Sequence, residues 1–276
     1  MSSVHFETFK AGSTTYFNSS LFFPASVRRD VFTLYGFVRV ADNFVDKVPQ
    51  DGDGFRGFVA AYRRAAHGQP AGEPIIDGFV ELSCRKGFDP AWTDAFLHSM
   101  EMDLSKASYD TLGETLEYIY GSAEVIGLFM ARIMDLADAS LPHARLLGRA
   151  MQYINFIRDL DEDRAFGRRY LPLEATPLAS LAAGRGIDAE TARQHPEAFR
   201  GFLRHHLSLY RGWQAQAEAG YRYIPWRYLI AVKTAADMYN WTARRIERDP
   251  LVVFRRKVKP SRGRILLRAA ANAARV

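Results

Sequence analysis

The chain is patterned for helices almost from end to end. In residues 26–46, SVRRDVFTLYGFVRVADNFVD, the residues Val27, Val31, Leu34, Val38 and Val45 follow at three- and four-residue steps with one longer gap. That spacing puts apolar side chains on one face of an α-helix. Pro24 stands just before this stretch, and Ser26 is a suitable N-cap. After a turn-rich break at 47–54, KVPQDGDG, helical spacing resumes over 55–67. Further helices are predicted over 90–106, 110–137, 142–165, 197–219 and 227–248, with 166–190 read as a loop and a short helix. Period-two alternation between turn dipeptides is essentially absent, so the expected fold is all-α. Neither a repeat nor a long linker divides the 276 residues. They read as a single domain, 1–276, with a basic C-terminal tail at about 255–276.

Composition narrows the classes of function. A 48% hydrophobic share with 19 Phe and 13 Tyr can fill a large core and also line an apolar cavity. The single cysteine, Cys84, excludes an internal disulfide framework and suits a reducing compartment. No His pattern makes it a nucleophile, so it is expected to be buried and inert. The amino terminus, MSSVHFETFKAG, lacks the basic and apolar regions of a secretory signal. No stretch approaches the roughly 20 apolar residues of a membrane span. The expected location is the cytoplasm. Much of the +6 net charge lies beyond residue 244, which leaves three readings open: nucleic acid, anionic lipid or a solvated tail. No nucleic-acid module supports the first, so no nucleic-acid partner is expected. Basic residues alternating with Leu, Ile, Val and Phe keep peripheral membrane contact open.

Two polar stripes carry the chemistry. Tyr35, Arg39, Asp42 and Asp46 are spaced by four, three and four, and so are stacked along one side of the first helix. Carboxylates at i and i+4 lie roughly 5–6 Å apart and repel each other. A cation between them removes that repulsion, and hard oxygen ligands favour magnesium. In MQYINFIRDLDEDRAFGRRYLP the device recurs, with Gln152, Asn155, Asp159 and Asp163 at steps of three, four and four. Arg158, Arg164, Arg168 and Arg169 stand nearby, and a forked guanidinium suits phosphate oxygens. There is no P-loop or glycine-rich nucleotide loop. The pattern points to a diphosphate gripped through metal ions, although either pair alone also reads as a solvated acidic run salt-bridged to arginine.

These residues resemble a known family. SSLFFPASVRRDVFTLYGFVRVADNFVD is similar to the first signature of squalene and phytoene synthases, MQYINFIRDLDEDRAFGRRYLP to the second, and YIYGSAEVIGLFM to the segment between. The likeness covers most of residues 10–250. It implies an α-helical isoprenoid-synthase fold around a deep apolar cavity, joining two allylic diphosphates head to head. By resemblance, Asp42, Asp46, Asp159 and Asp163 would hold Mg2+, with Mn2+ as a substitute. Ser13, Thr15, Arg39, Gln152, Asn155, Arg158 and Tyr170 would face the diphosphate. Tyr118 matches a tyrosine near the reacting carbons, with core packing as its other reading. Ser20, Tyr16 and Phe32 would shape the cavity and set chain length. Two departures stand out: Asn43 where many members carry a second Asp, and Glu124, beside the presumed cavity or its rim, where glycine is common.

The resemblance also frames the product. A small residue at Ser20 leaves room for a twenty-carbon chain, so two geranylgeranyl diphosphates are expected to give phytoene through a cyclopropylcarbinyl diphosphate. That route ends by proton loss, so NADPH is not expected. One alternative is a farnesyl diphosphate enzyme making squalene, dehydrosqualene, presqualene diphosphate or hydroxysqualene. Another is a non-catalytic, membrane-associated assembly factor.

Overall fold

The computed structural model describes residues 20–174, 176–182 and 186–275. Ser13, Thr15 and Tyr16 lie outside the described residues. The others form an all-α molecule, as the helical spacing predicts. α1 (Ala25–Asp46), α2 (Gly52–Ala66), α3 (Pro74–Lys86) and α4 (Pro90–Met102) come first. α5 (Leu112–Ile119) runs through a π-helical turn, Tyr120–Glu124, into α6 (Val125–Ile133). α7 (Leu141–Arg158) and the short α8 (Leu160–Ala165) carry the second aspartate stripe. α9 (Ala189–Gln194), α10 (Pro196–Glu218), α11 (Trp226–Arg248) and α12 (Arg262–Ala273) complete the order.

Local chemistry explains the boundaries. Asp51 caps α2 by accepting a hydrogen bond from the Gly54 N–H, and Asp89 caps α4 through the Ala91 N–H. Proline begins both α3 and α4, where its missing N–H costs nothing. α1 differs from expectation at its start: it begins at Ala25 behind Pro24, with no side-chain cap, so Ser26 is already inside the helix. α3 was not foreseen from the sequence, although Ile75, Ile76, Phe79 and Leu82 are its buried face. Cys84 falls off that face and is exposed, which corrects the expectation of a buried thiol.

The core has two parts. One gathers around α1–α4 and α6, where the Phe37 and Phe79 rings stack at 3.9 Å. The other gathers around α5, α7, α10 and α11, and includes Tyr153, Phe199 and Tyr210. Within the second part, the Tyr153 hydroxyl lies 2.6 Å from Nδ1 of the buried His206. Burial is the main reason the His206 pKa falls to about 3, so the ring is neutral. The unfolded chain protonates this ring below about 6.5 while the native state does not, so folding loses stability as pH falls from about 6.5 toward 3. Stability measured by urea unfolding across that range should fall more steeply for the wild type than for His206→Gln. The difference approaches about 1.4 kcal/mol per pH unit.

The segment read as a tail is packed instead. Val258, Pro260, Ile265, Ala269 and Asn272 are buried, because α12 lies against α11.

Candidate functional site

The site grows from the C-terminal halves of α1 and α7. On α1, Tyr35 and Val38 face an apolar cavity of about 270 Å³, and on α7 Gln152 and Asn155 face the same space. Arg39, Asp42 and Asp46 continue the α1 stripe beyond the cavity, and Asp159 and Asp163 continue that of α7. The α7 stripe is not one unbroken helix. Asp159 leaves α-helical geometry at φ −97°, ψ 16° and joins α7 to α8. The Asp163 N–H still bonds to the Asp159 carbonyl at 2.8 Å, so the four-residue spacing survives the bend.

Electrostatics sets these carboxylates apart. Asp42 is pushed up to about 7, first by burial and then by Asp46. Asp163 rises to about 8, again by burial first, with Asp159 and Glu162 next. Basic groups already stand among them. Arg39 donates to Asp42 at 2.6 Å, Arg158 to both Asp159 oxygens at 2.8 and 2.5 Å, and Arg168 to Asp46 at 2.9 Å. Among the described residues no three His, Cys, Asp or Glu side chains gather tightly enough to enclose a metal. Each pair therefore offers two hard oxygen ligands, leaving the other positions of a divalent cation to ligand oxygens and water. That donor set fits a cation completed by phosphate.

Beneath Arg168 lies a buried network that sequence reasoning missed. Asp103, just past the end of α4, accepts hydrogen bonds from the Tyr118 hydroxyl at 2.6 Å and the Tyr170 hydroxyl at 2.7 Å. Burial raises Asp103, and burial with Asp103 alongside raises both tyrosines well above their ordinary range, so the phenols keep their protons. The Tyr170 ring stacks on Phe156 at 4.3 Å and lies 5.0 Å from Tyr118. An isolated parallel bridge, Ser108 with Arg169, brings in the loop after α8. Arg168 then reaches the Val45 carbonyl at 2.6 Å, so the second motif clamps the end of the first.

The remaining candidates are placed as follows. Ser20 is buried and lines the cavity. Phe32 does not line it; it belongs to the core around α1. Tyr118 and Tyr170 are likewise not among the lining residues, because Asp103 holds their hydroxyls. Glu124 does not face the cavity either. Only 1% exposed, it takes hydrogen bonds from Arg145 at 3.0 Å and Arg149 at 2.6 Å, both on α7. Those pairs turn it away from the apolar space and neutralise it.

Two more residues were missed. Tyr239 on α11 lines the cavity, with Asn155, Arg158 and Asp159 around its hydroxyl. Lys257, assigned to the tail on sequence alone, pairs with Glu162 and stands 3.5 Å from Asp159. No periodicity links it to the aspartates; only the return of the chain after α11 does.

Two aspartate pairs, met by Arg39, Arg158, Arg168 and Lys257, thus continue the two helix stripes whose preceding residues line the apolar cavity. The squalene/phytoene synthase family model matches residues 9–264, and the chain belongs to that family. It is 31% identical over 261 residues to the 15-cis-phytoene synthase of Pantoea ananas, covering 87% of this chain and 81% of that protein. It is 32% identical over 244 residues to the 15-cis-phytoene synthase of Enterobacter agglomerans, covering 84% and 81%. A dehydrosqualene synthase structure shares the fold at a TM-score of 0.85 and 20% identity, covering 99% of this chain and 95% of that one. The squalene synthase of Alicyclobacillus acidocaldarius does so at 0.76 and 20%, covering 89% and 92%. The chain is a head-to-head prenyl transferase, a class that binds prenyl diphosphates.

Proposed function

We propose that the protein condenses two molecules of geranylgeranyl diphosphate to phytoene with release of diphosphate, using Mg2+ or Mn2+. The observation that carries this reading is the continuity of the aspartate stripes with the apolar cavity, through Tyr35 on α1 and Asn155 on α7. The names of the curated relatives and the small, buried Ser20 support a twenty-carbon donor.

The residues divide the work. Arg39, Arg158, Arg168 and Lys257 stand where they can take phosphate oxygens, and Asp42, Asp46, Asp159 and Asp163 would hold the cations. A divalent cation held by these aspartates would supply positive charge to the leaving diphosphate and so ease scission of the allylic carbon–oxygen bond. The cavity keeps the resulting cation from water. The Tyr35 and Tyr239 rings on its wall present negative faces to positive charge. Attack by the double bond of the second substrate, followed by proton loss, gives a cyclopropylcarbinyl diphosphate. A second ionisation, rearrangement and proton loss complete the product without a reductant.

Incubation of the purified protein with Mg2+ and geranylgeranyl diphosphate should yield phytoene and diphosphate, with or without NADPH. Turnover of farnesyl diphosphate alone would overturn the twenty-carbon assignment. Chelation of the divalent cation with EDTA should stop turnover, and Mg2+ should restore it.

A further inference from the structure

From residue 250 to 275 the chain carries eight basic residues and no Asp or Glu. α12 lies in this segment with one face tied down. The Asn272 amide donates to Thr234 at 3.2 Å and to Asp237 at 2.9 Å, and Arg268 donates to Asp237 at 2.7 Å. The Arg264 guanidinium lies 4.9 Å from the centre of the Trp241 ring. These pairings run antiparallel along α11, and Ile265 and Ala269 are buried beneath α12.

The opposite face is unusual. Leu266 is 60% exposed and Leu267 76%, and Ala270 and Ala274 extend the same apolar strip. Arg262 and Arg264 precede the leucines, and Arg275 follows the strip. The acidic partners of this segment are Asp249 for Arg255, Glu162 and Asp159 for Lys257, and Asp237 for Arg268. Arg256, Arg262, Arg264 and Arg275 are left without a carboxylate among the described residues.

We propose that α12 docks the protein on an anionic bilayer. Leu266 and Leu267 enter the boundary between headgroups and acyl chains, and Arg262 and Arg275, at the two ends of the strip, reach lipid phosphates. A convex strip of two leucines flanked by long cationic side chains matches a helix lying in the membrane interface. Uniform positive charge complements an anionic leaflet. The placement also has a use: α11, on which α12 rests, lines the apolar cavity from its inner side with Ala231, Val232 and Ala235. Docking through α12 thus sets the cavity wall one helix from the lipid.

The test is sedimentation of the full chain, without substrate, with vesicles of phosphatidylcholine alone or mixed with phosphatidylglycerol. The wild type should sediment with the mixed vesicles, stay in solution with the neutral ones, and be released at high salt. The double variant Leu266→Ser/Leu267→Ser should bind at least about tenfold less, through lost apolar burial. Arg262→Gln/Arg275→Gln should bind on the order of tenfold less, through lost charge. All four side chains are exposed, so melting temperature and turnover of detergent-dispersed substrate should not change. Equal binding to neutral vesicles, wild-type binding by both double variants, or binding to duplex DNA in preference to the mixed vesicles would each overturn the proposal. Because no substrate is present, the outcome is independent of the reaction assigned to the cavity.

Discussion

Asp42→Asn and Asp163→Asn are each expected to lower turnover by about a thousandfold or more, while the melting temperature stays level or rises. The two effects have one origin. Both carboxyls are buried beside other carboxylates, which raises Asp42 to about 7 and Asp163 to about 8, so in the protein alone their charge is destabilising. Asparagine keeps the shape and removes the charge. The same charge is what a divalent cation on the diphosphate needs, and losing several kcal/mol of leaving-group stabilisation costs about three decades in rate. Thermal melts and diphosphate release on the same preparations check both halves. A variant that melts many degrees lower would make the pair a structural salt bridge.

Asp103→Ala should behave in the opposite way, with stability falling first. It strips the acceptor from two buried phenols at once. Each unpaired hydroxyl costs about 1–3 kcal/mol, so the variant should lose on the order of 2–6 kcal/mol and melt about 10 °C lower. Asp103→Asn keeps one acceptor oxygen and should recover much of the melting temperature. Turnover should remain reduced in Asp103→Asn, because Tyr170 and Arg168, whose guanidinium also touches the Tyr170 hydroxyl at 3.3 Å, would lose their fixed placement. Asp103 is a positioning residue for the clamp that Arg168 closes on Asp46. Full turnover in Asp103→Asn would remove that role.

The fold class and the two stripes could be read in the sequence, because both are periodic and a helix displays its period directly. The polar stripe from Tyr35 to Asp46 needed only the spacing of four, three and four to be put on one face, and the structure keeps it there. The Asp103 network was beyond such reasoning. Its partners lie 15 and 67 residues away along the chain, and only the packing of α4, α5 and the loop after α8 joins them. Lys257 was misassigned for the same reason: its charge was visible, but the turn that returns it to Asp159 was not. Glu124 shows the reverse limit. Its position beside the cavity wall was inferred correctly, yet its direction depends on Arg145 and Arg149 one helix away. Phe32 failed on direction as well, since a residue three places before Tyr35 on α1 can share its helix without sharing its cavity.

The glycines at the α6–α7 crossing fix how far apart two walls of the cavity stand. A side chain on Gly127 would meet the Ala144 carbonyl at 2.1 Å, and one on Gly148 would meet the Ala123 carbonyl at 2.2 Å. Main chain rests on main chain there, on the very wall of the cavity, so the distance between the helices is not free to vary by substitution. The shape of the cavity is then left to side chains that line it without holding the helices apart, such as Ser20, Met130 and Met134. The interior can be reshaped by substitution while the scaffold stays the same.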